Sequence, residues 1–280
     1  MPLEPSLLQS MIDDLSAEHD ALDAVVAGLD DEQWASPTPS PGWTVAEQVA
    51  HLAFFDDAAV TAMLEPERFA AETEALLEQV LAPGGSLDSV TLSRFESLGR
   101  VELLETWRDG RARLLDAART LDDGDRIPWY GPSMGARSFL TARLMETWAH
   151  GQDIVDAVGA HRPPTPRLAH VAQLGVITRS WSYRNRGETA PDVEIAVELT
   201  GPDGAVHRWG PEHAAHRVTG DLEDFCLVVT QRRHLDDTAL RVTDGPAREW
   251  LLIAQVFAGG PTSGPAPKKS QPMRGVADTS

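Results

Sequence analysis

Glu146 and His150 stand four residues apart in the stretch Arg143-Leu144-Met145-Glu146-Thr147-Trp148-Ala149-His150. On a helix that spacing puts a carboxylate and an imidazole on one face, where both can reach one metal ion. The natural third ligand is His51, far upstream but also in a segment with helical periodicity. Two neutral imidazoles and one carboxylate suit Zn²⁺ and leave a coordination position open for water or a thiolate. Iron, nickel and manganese accept the same donors, so zinc is preferred among several divalent ions. A metal held there would lower the pKa of a bound thiol or polarise a substrate oxygen. Glu-x-x-x-His is also an ordinary spacing on a solvated helix face. What makes it a candidate site is His51 on a second helix that could face the same cavity.

Other residues offer chemistry with a plainer alternative beside it. Arg143 opens the same stripe and could clamp a substrate or thiol carboxylate bidentately, or simply pair with Glu146 or a neighbouring helix. Asp153, one turn beyond His150, could orient its free ring nitrogen, serve as a supplementary ligand, or lie at the surface near the helix end. Asp56 and Asp57 carry the same ambiguity below His51. His19 reads as a surface or rim histidine. Tyr183-Arg184-Asn185-Arg186-Gly187 lies at the junction of two expected domains. Tyr183, Arg184 and Arg186 could bind an anion or close over the bundle site, or only stitch the domains together. His207, His213, His216 and His234 lack ligand spacing and read as non-ligands. Cys226 sits in an apolar helix without a local histidine, which favours packing over nucleophilic use.

The elements that must position these groups are legible from periodicity. Leu7 to Leu29 has apolar residues at steps of three and four. Pro41-Gly42 turns into Thr44-Val45-Ala46-Glu47, a capping-box start for a helix through His51 to about Met63. Residues 66–100 give a weaker helical signal, broken at Pro83-Gly84-Gly85. Val101–Leu121 and Gly135–Val158 are further long helices. Trp129 and Tyr130, in the loop between them, would roof a site or plug a gap. The four strong segments predict an antiparallel four-helix bundle. A bridging helix follows over residues 167–183. Alternation over Val193–Leu199, the turn Gly201-Pro202-Asp203-Gly204 and a return strand to Trp209 then predict a half-buried hairpin. Further strands near 216–219 and 239–243, with helices over 221–230 and 248–257, complete a small α+β unit with an antiparallel sheet. The expected domains are residues 1–162, 163–258 and a tail, 259–280, with no fold signal.

Composition limits the partners. The 280 residues carry a net charge of −19 and a pI near 4.7, which argues against nucleic acid as the main partner. One cysteine excludes an internal disulfide framework and points to the cytoplasm. Met1-Pro2-Leu3-Glu4-Pro5 lacks the regions of a signal peptide, and no apolar run is long enough for a membrane helix.

Gly42-Trp43-Thr44-Val45, His51-Leu52 and Arg143-x-x-Glu146-x-x-x-His150-Gly151-x-Asp153-Ile154 together resemble the actinobacterial mycothiol-dependent maleylpyruvate isomerase family, within the DinB-like metal-binding superfamily. Tyr183-Arg184-Asn185-Arg186-Gly187 is similar to a motif in one uncharacterised branch of it. The resemblance runs to about residue 258. It implies a DinB-like four-helix bundle followed by a small sterol-carrier-like α+β domain. It implies that His51, Glu146 and His150 are metal ligands, with water as the remaining ligand and the thiol mycothiol as cofactor or co-substrate. In the isomerase reaction the thiol adds reversibly to the double bond of maleylpyruvate; rotation and loss of thiol give fumarylpyruvate. Related bundle proteins are thiol S-transferases. The leading expectation is a metal-dependent isomerase or thiol S-transferase acting on a small electrophile. The alternatives are a hydrolase using metal-bound water and a non-enzymatic metal-binding or regulatory protein.

Overall fold

Local capping sequence starts several helices of the N-terminal half. In the computed structural model, which describes residues 6–268, α1 (Leu7–Val26) begins at Ser6, whose hydroxyl accepts from the Gln9 N–H. The short α2 (Asp31–Trp34) opens with an Asp30/Gln33 capping box. The box expected at Thr44 and Glu47 is present and starts α3 (Val45–Leu64). The weak signal over 66–100 resolves into α4 (Pro66–Leu81), with proline in its first turn, and α5 (Leu87–Leu92). Next come α6 (Arg100–Ala118), a two-residue hairpin of β1 (Arg126–Ile127) and β2 (Met134–Gly135), and α7 (Ala136–Val158). Gly159 ends α7 at φ 64°, the left-handed conformation that favours glycine at a helix terminus.

The four long helices pack together: α3 lies against α6 and α7, and α1 against α7 and α6. Their shared core includes Leu22, Val26, Trp34, Val49, Leu52, Trp107 and Ile154, so Trp34 packs back on the bundle as its place after α1 suggests. Gly151, next to His150, lets α1 come close. A Cβ there would lie 3.3 Å from Leu22 Cδ1 and 2.7 Å from Arg162 Nη1. Glycine inside a helix costs about 1 kcal/mol. Here it admits Arg162, which donates to Glu18 in α1 and to the Trp148 carbonyl in α7.

The chain divides into two compact units between Leu174 and Gly175, within α8 (Leu168–Ile177), rather than at the expected 162/163. Arg162 and Arg167 on Glu18, and His170 on Asp14, tie this stretch to α1.

The second unit has α9 (Arg179–Arg184), β3 (Ile195–Thr200), β4 (Val206–Trp209), β5 (His216–Asp221), α10 (Leu222–Val229), β6 (Arg241–Val242) and α11 (Pro246–Ile253). Its sheet runs β4-β3-β5-β6. The hairpin at 201–204 is formed, but the expected antiparallel sheet is mixed, because β3 pairs β5 in parallel. Alternation suggested a half-buried first strand. As a central strand, β3 buries Ile195, Ala196, Val197 and Leu199, and Glu198 reaches Arg208 opposite it at 2.9 Å. Cys226 is fully buried in α10, and burial pushes its thiol well above the usual range, consistent with a packing role. Residues 259–268, expected to be an unstructured tail, make hydrogen bonds: Gln231 and Gln255 bind Thr262, and Asn185 binds the Gly259 carbonyl. The rest of that tail, 269–280, and the N-terminal residues 1–5 lie outside the described residues. Among the described residues no helix is long and apolar enough to cross a membrane.

Candidate metal centre

Helix α3 supplies His51 and α7 supplies Glu146 and His150, and the packing of these helices brings the three side chains together. Their ligand atoms all lie within 4.8 Å of one another. Glu146 Oε2 is 3.0 Å from His150 Nε2 and 3.7 Å from His51 Nε2. Ligands about 2.0–2.1 Å from a tetrahedral metal stand a little over 3 Å apart, so this donor set fits a divalent ion with little movement.

Protonation favours the same use. Burial, with the neighbouring His150 adding to it and Glu146 opposing, lowers the His51 pKa to about 4. Burial alone would raise the Glu146 pKa; the hydrogen bond with His150 and the nearby His51 imidazole outweigh it and hold the carboxyl well below the usual range. Near neutral pH, His51 is a neutral donor and Glu146 an anionic one, the forms a metal requires.

The orientation of His150 comes from a residue that the sequence did not single out. Gln48, fully buried one turn before His51, puts its Oε1 2.5 Å from His150 Nδ1. Gln48 Nε2 donates to Thr38 Oγ1 at 2.8 Å, which leaves the carbonyl facing the imidazole. His150 Nδ1 then donates to that carbonyl, and a metal would take Nε2 in place of the proton it shares with Glu146. Asp153, expected as one partner for that nitrogen, instead accepts from Ser40 Oγ at 3.0 Å. The only sequence signal for Gln48 is its position three residues before His51, on nearly the same helix face.

Trp43 covers the centre. Its ring is nearly parallel to His150 at 5.8 Å and lies 5.0 Å from His51, while its Nε1 donates to Asp88. On the other side Phe55 packs on His51 at 4.6 Å, and Tyr130 and Trp129 pack on Phe55. The 129–130 pair therefore lies one ring away from His51.

Arg143 is only 3% exposed, and its guanidinium binds Asp56 rather than facing an open pocket. Of its two readings, the ion pair with a neighbouring helix is the one present. His19 is 1% exposed, with Nε2 4.0 Å from Asp56 Oδ2, which corrects the surface reading. An isolated polar residue in an amphipathic helix looks like a surface residue until a neighbouring helix covers it. In the second unit Tyr183 is 5% exposed, Arg184 is exposed, and Arg186 donates to the Ser182 and Thr262 carbonyls.

A helical bundle that gathers two imidazoles and a carboxylate from two helices defines a protein with a candidate metal centre. Residues 15–155 match the family described as "Mycothiol maleylpyruvate isomerase N-terminal domain", and the chain belongs to that family. Residues 195–243 also match a family described as "Wyosine base formation". Two uncharacterized proteins of Mycobacterium tuberculosis, MT0041 and Rv0036c, are each 45% identical over 251 residues, covering 90% of this chain and 96% of theirs. The solved structures of a mycothiol-dependent maleylpyruvate isomerase and of a mutant of it share the fold. Each has a TM-score of 0.57 at 17% identity, covering 86% of this chain and 94% of the other.

Proposed function

We propose that this protein is a cytoplasmic metal-dependent enzyme that uses a low-molecular-weight thiol, mycothiol, to isomerise or S-conjugate a small electrophile. The observation that carries the reading is the convergence of His51, Glu146 and His150 beneath Trp43, with the protonation that metal binding needs. Family membership supports it. We assign the helical unit to the DinB-like bundles and the second unit to sterol-carrier-like domains.

His51, Glu146 and His150 would hold the ion, with Zn²⁺ preferred for two imidazoles and one carboxylate. When bound, it supplies Lewis acidity that favours a thiolate at neutral pH. Gln48 keeps the His150 proton on Nδ1, and Trp43 shields one side of the centre from water. Arg143 acts as a positioning residue through Asp56. Within the second unit, we assign Arg184 and Arg186 to anion binding, with Tyr183 supporting the segment that carries them.

The test is to load the purified protein with cobalt and titrate mycothiol. Sulfur coordination adds a charge-transfer band to the visible spectrum, and His51→Ala should lose both metal and band. An unchanged spectrum rejects the thiol. Substoichiometric metal that is indifferent to His51→Ala rejects the centre. Maleylpyruvate and a panel of small electrophiles then identify the reaction.

A further inference from the structure

A cavity of about 200 Å³ lies between α3, α4, α5 and the loop that carries Tyr130. None of the three candidate metal ligands lines it. Phe54, Leu76 and Val90 give it apolar walls, and Asp57, Glu72, Arg94 and Tyr130 give it polar ones.

The charged groups of this cavity differ in their partners. Asp57 pairs with Arg113 at 3.0 Å, and Glu72 pairs at 2.9 Å with Arg68, which it shares with Glu65 at 3.2 Å. Among the described residues, Arg94 has neither an ion pair nor a hydrogen bond. Its guanidinium lies over the Phe54 ring, 4.8 Å from the centroid. That contact uses the flat face of the group and leaves its N–H edge available. Tyr130 is half-buried, and burial pushes its hydroxyl up to about 12, so it remains a neutral phenol that can donate. A guanidinium edge with no carboxylate on it, a phenol and apolar walls describe a receptor for a monoanion with an apolar body.

We propose that this cavity is a second ligand site, distinct from the metal centre, that binds a small aryl or alkyl carboxylate through Arg94 and Tyr130. The carboxylate meets the Arg94 edge and the Tyr130 hydroxyl, and the hydrocarbon part lies against Leu76 and Val90. Tyr130 also packs on Phe55, which packs on His51, so the ligand is separated from the metal centre by this aromatic layer.

Benzoate and its uncharged relative benzyl alcohol test the site on the full-length protein by calorimetry and ligand-observed NMR. Benzoate is expected to bind saturably, with benzyl alcohol at least about tenfold weaker, the usual size of a charge-assisted contact. Arg94→Gln is expected to weaken benzoate by about tenfold and to leave benzyl alcohol unchanged. Tyr130→Phe should weaken benzoate by a smaller factor. His51→Ala should leave benzoate affinity within about twofold, which separates this site from carboxylate binding at the metal. Benzoate that fails to saturate, binds Arg94→Gln as tightly as wild type, or is lost with His51→Ala overturns the proposal. None of these results bears on whether His51, Glu146 and His150 bind metal.

Discussion

Arg143 and Asp56 form a buried ion pair between the two helices that carry the metal ligands. Arg143 Nη2 lies 2.9 Å and Nε 3.3 Å from Asp56 Oδ1, and Asp56 is fully buried. On α7 the pair sits one turn before Glu146, and on α3 a little over one turn beyond His51. It therefore ties the same two helices beside the point where their ligands must meet. Removing one member of a buried pair leaves the other as an uncompensated charge, which typically costs about 3–5 kcal/mol. Asp56→Leu should lose stability of that order in urea unfolding. Adding Arg143→Met to it should recover much of the loss. Zn²⁺ affinity in the double variant should stay lower by about tenfold or more, because the ligands have lost a tie that sets their spacing. If affinity returns together with stability, the pair is only structural.

Gln48 makes a separate contribution to the centre. A partner that fixes the tautomer of a ligating histidine is worth about 10–100-fold in metal affinity. Gln48→Ala should weaken Zn²⁺ by that factor, measured by competition with a chromophoric chelator. Gln48→Glu, which keeps an acceptor for the Nδ1 proton, should retain more of the affinity than Gln48→Ala. Equal affinity in all three proteins would mean that the His150 tautomer does not depend on this contact.

His19 makes stability depend on pH. Its pKa falls to about 4, chiefly through burial and against the pull of Asp56, with Arg111 and Arg143 lowering it and Asp20 raising it. The unfolded chain, with an ordinary histidine near 6.5, binds the proton first. Stability from a neutral His19 is thus present above about pH 6.5 and is lost as pH falls toward 4. The loss should be about 2 kcal/mol by pH 5 and about 3 kcal/mol below pH 4. Denaturant unfolding of the wild type and His19→Leu across this range isolates it, because the other titrating groups are common to both. Parallel profiles would show that His19 titrates as an ordinary histidine.

The sequence showed the ligands more clearly than their supports, for a physical reason. Glu146 and His150 are joined by helical periodicity, and His51 stands on another helix with a recognisable cap, so the three can be named before any packing is known. Gln48, Asp56 and His19 act across helices, and their roles depend on which faces meet. A glutamine or aspartate in an amphipathic stretch has the same local pattern whether it faces water or a buried partner. The sheet shows the same limit. Alternation located β3, but its parallel partner β5 is set by a crossover with no local signature. The segment at 259–268 is ordered by side chains of Gln231 and Gln255 rather than by a periodicity of its own.

Trp43 offers a direct readout of the centre. Its ring stacks on His150 and also borders His51, and Asp88 holds its indole nitrogen 3.0 Å away. An ion bound by the two histidines would lie close to this indole. Co²⁺ and Ni²⁺ have partly filled d shells and quench nearby indole emission, whereas Zn²⁺, with a filled shell, has no such route. Adding Co²⁺ to metal-free protein should therefore reduce tryptophan fluorescence saturably, while Zn²⁺ should change it only slightly and compete with the quenching. The other seven tryptophans are a constant background. Trp43→Phe should keep Co²⁺ binding, seen in the visible spectrum, but lose most of the quenching, and His51→Ala should lose both. Quenching that persists in both Trp43→Phe and His51→Ala would place the ion away from His51, Glu146 and His150.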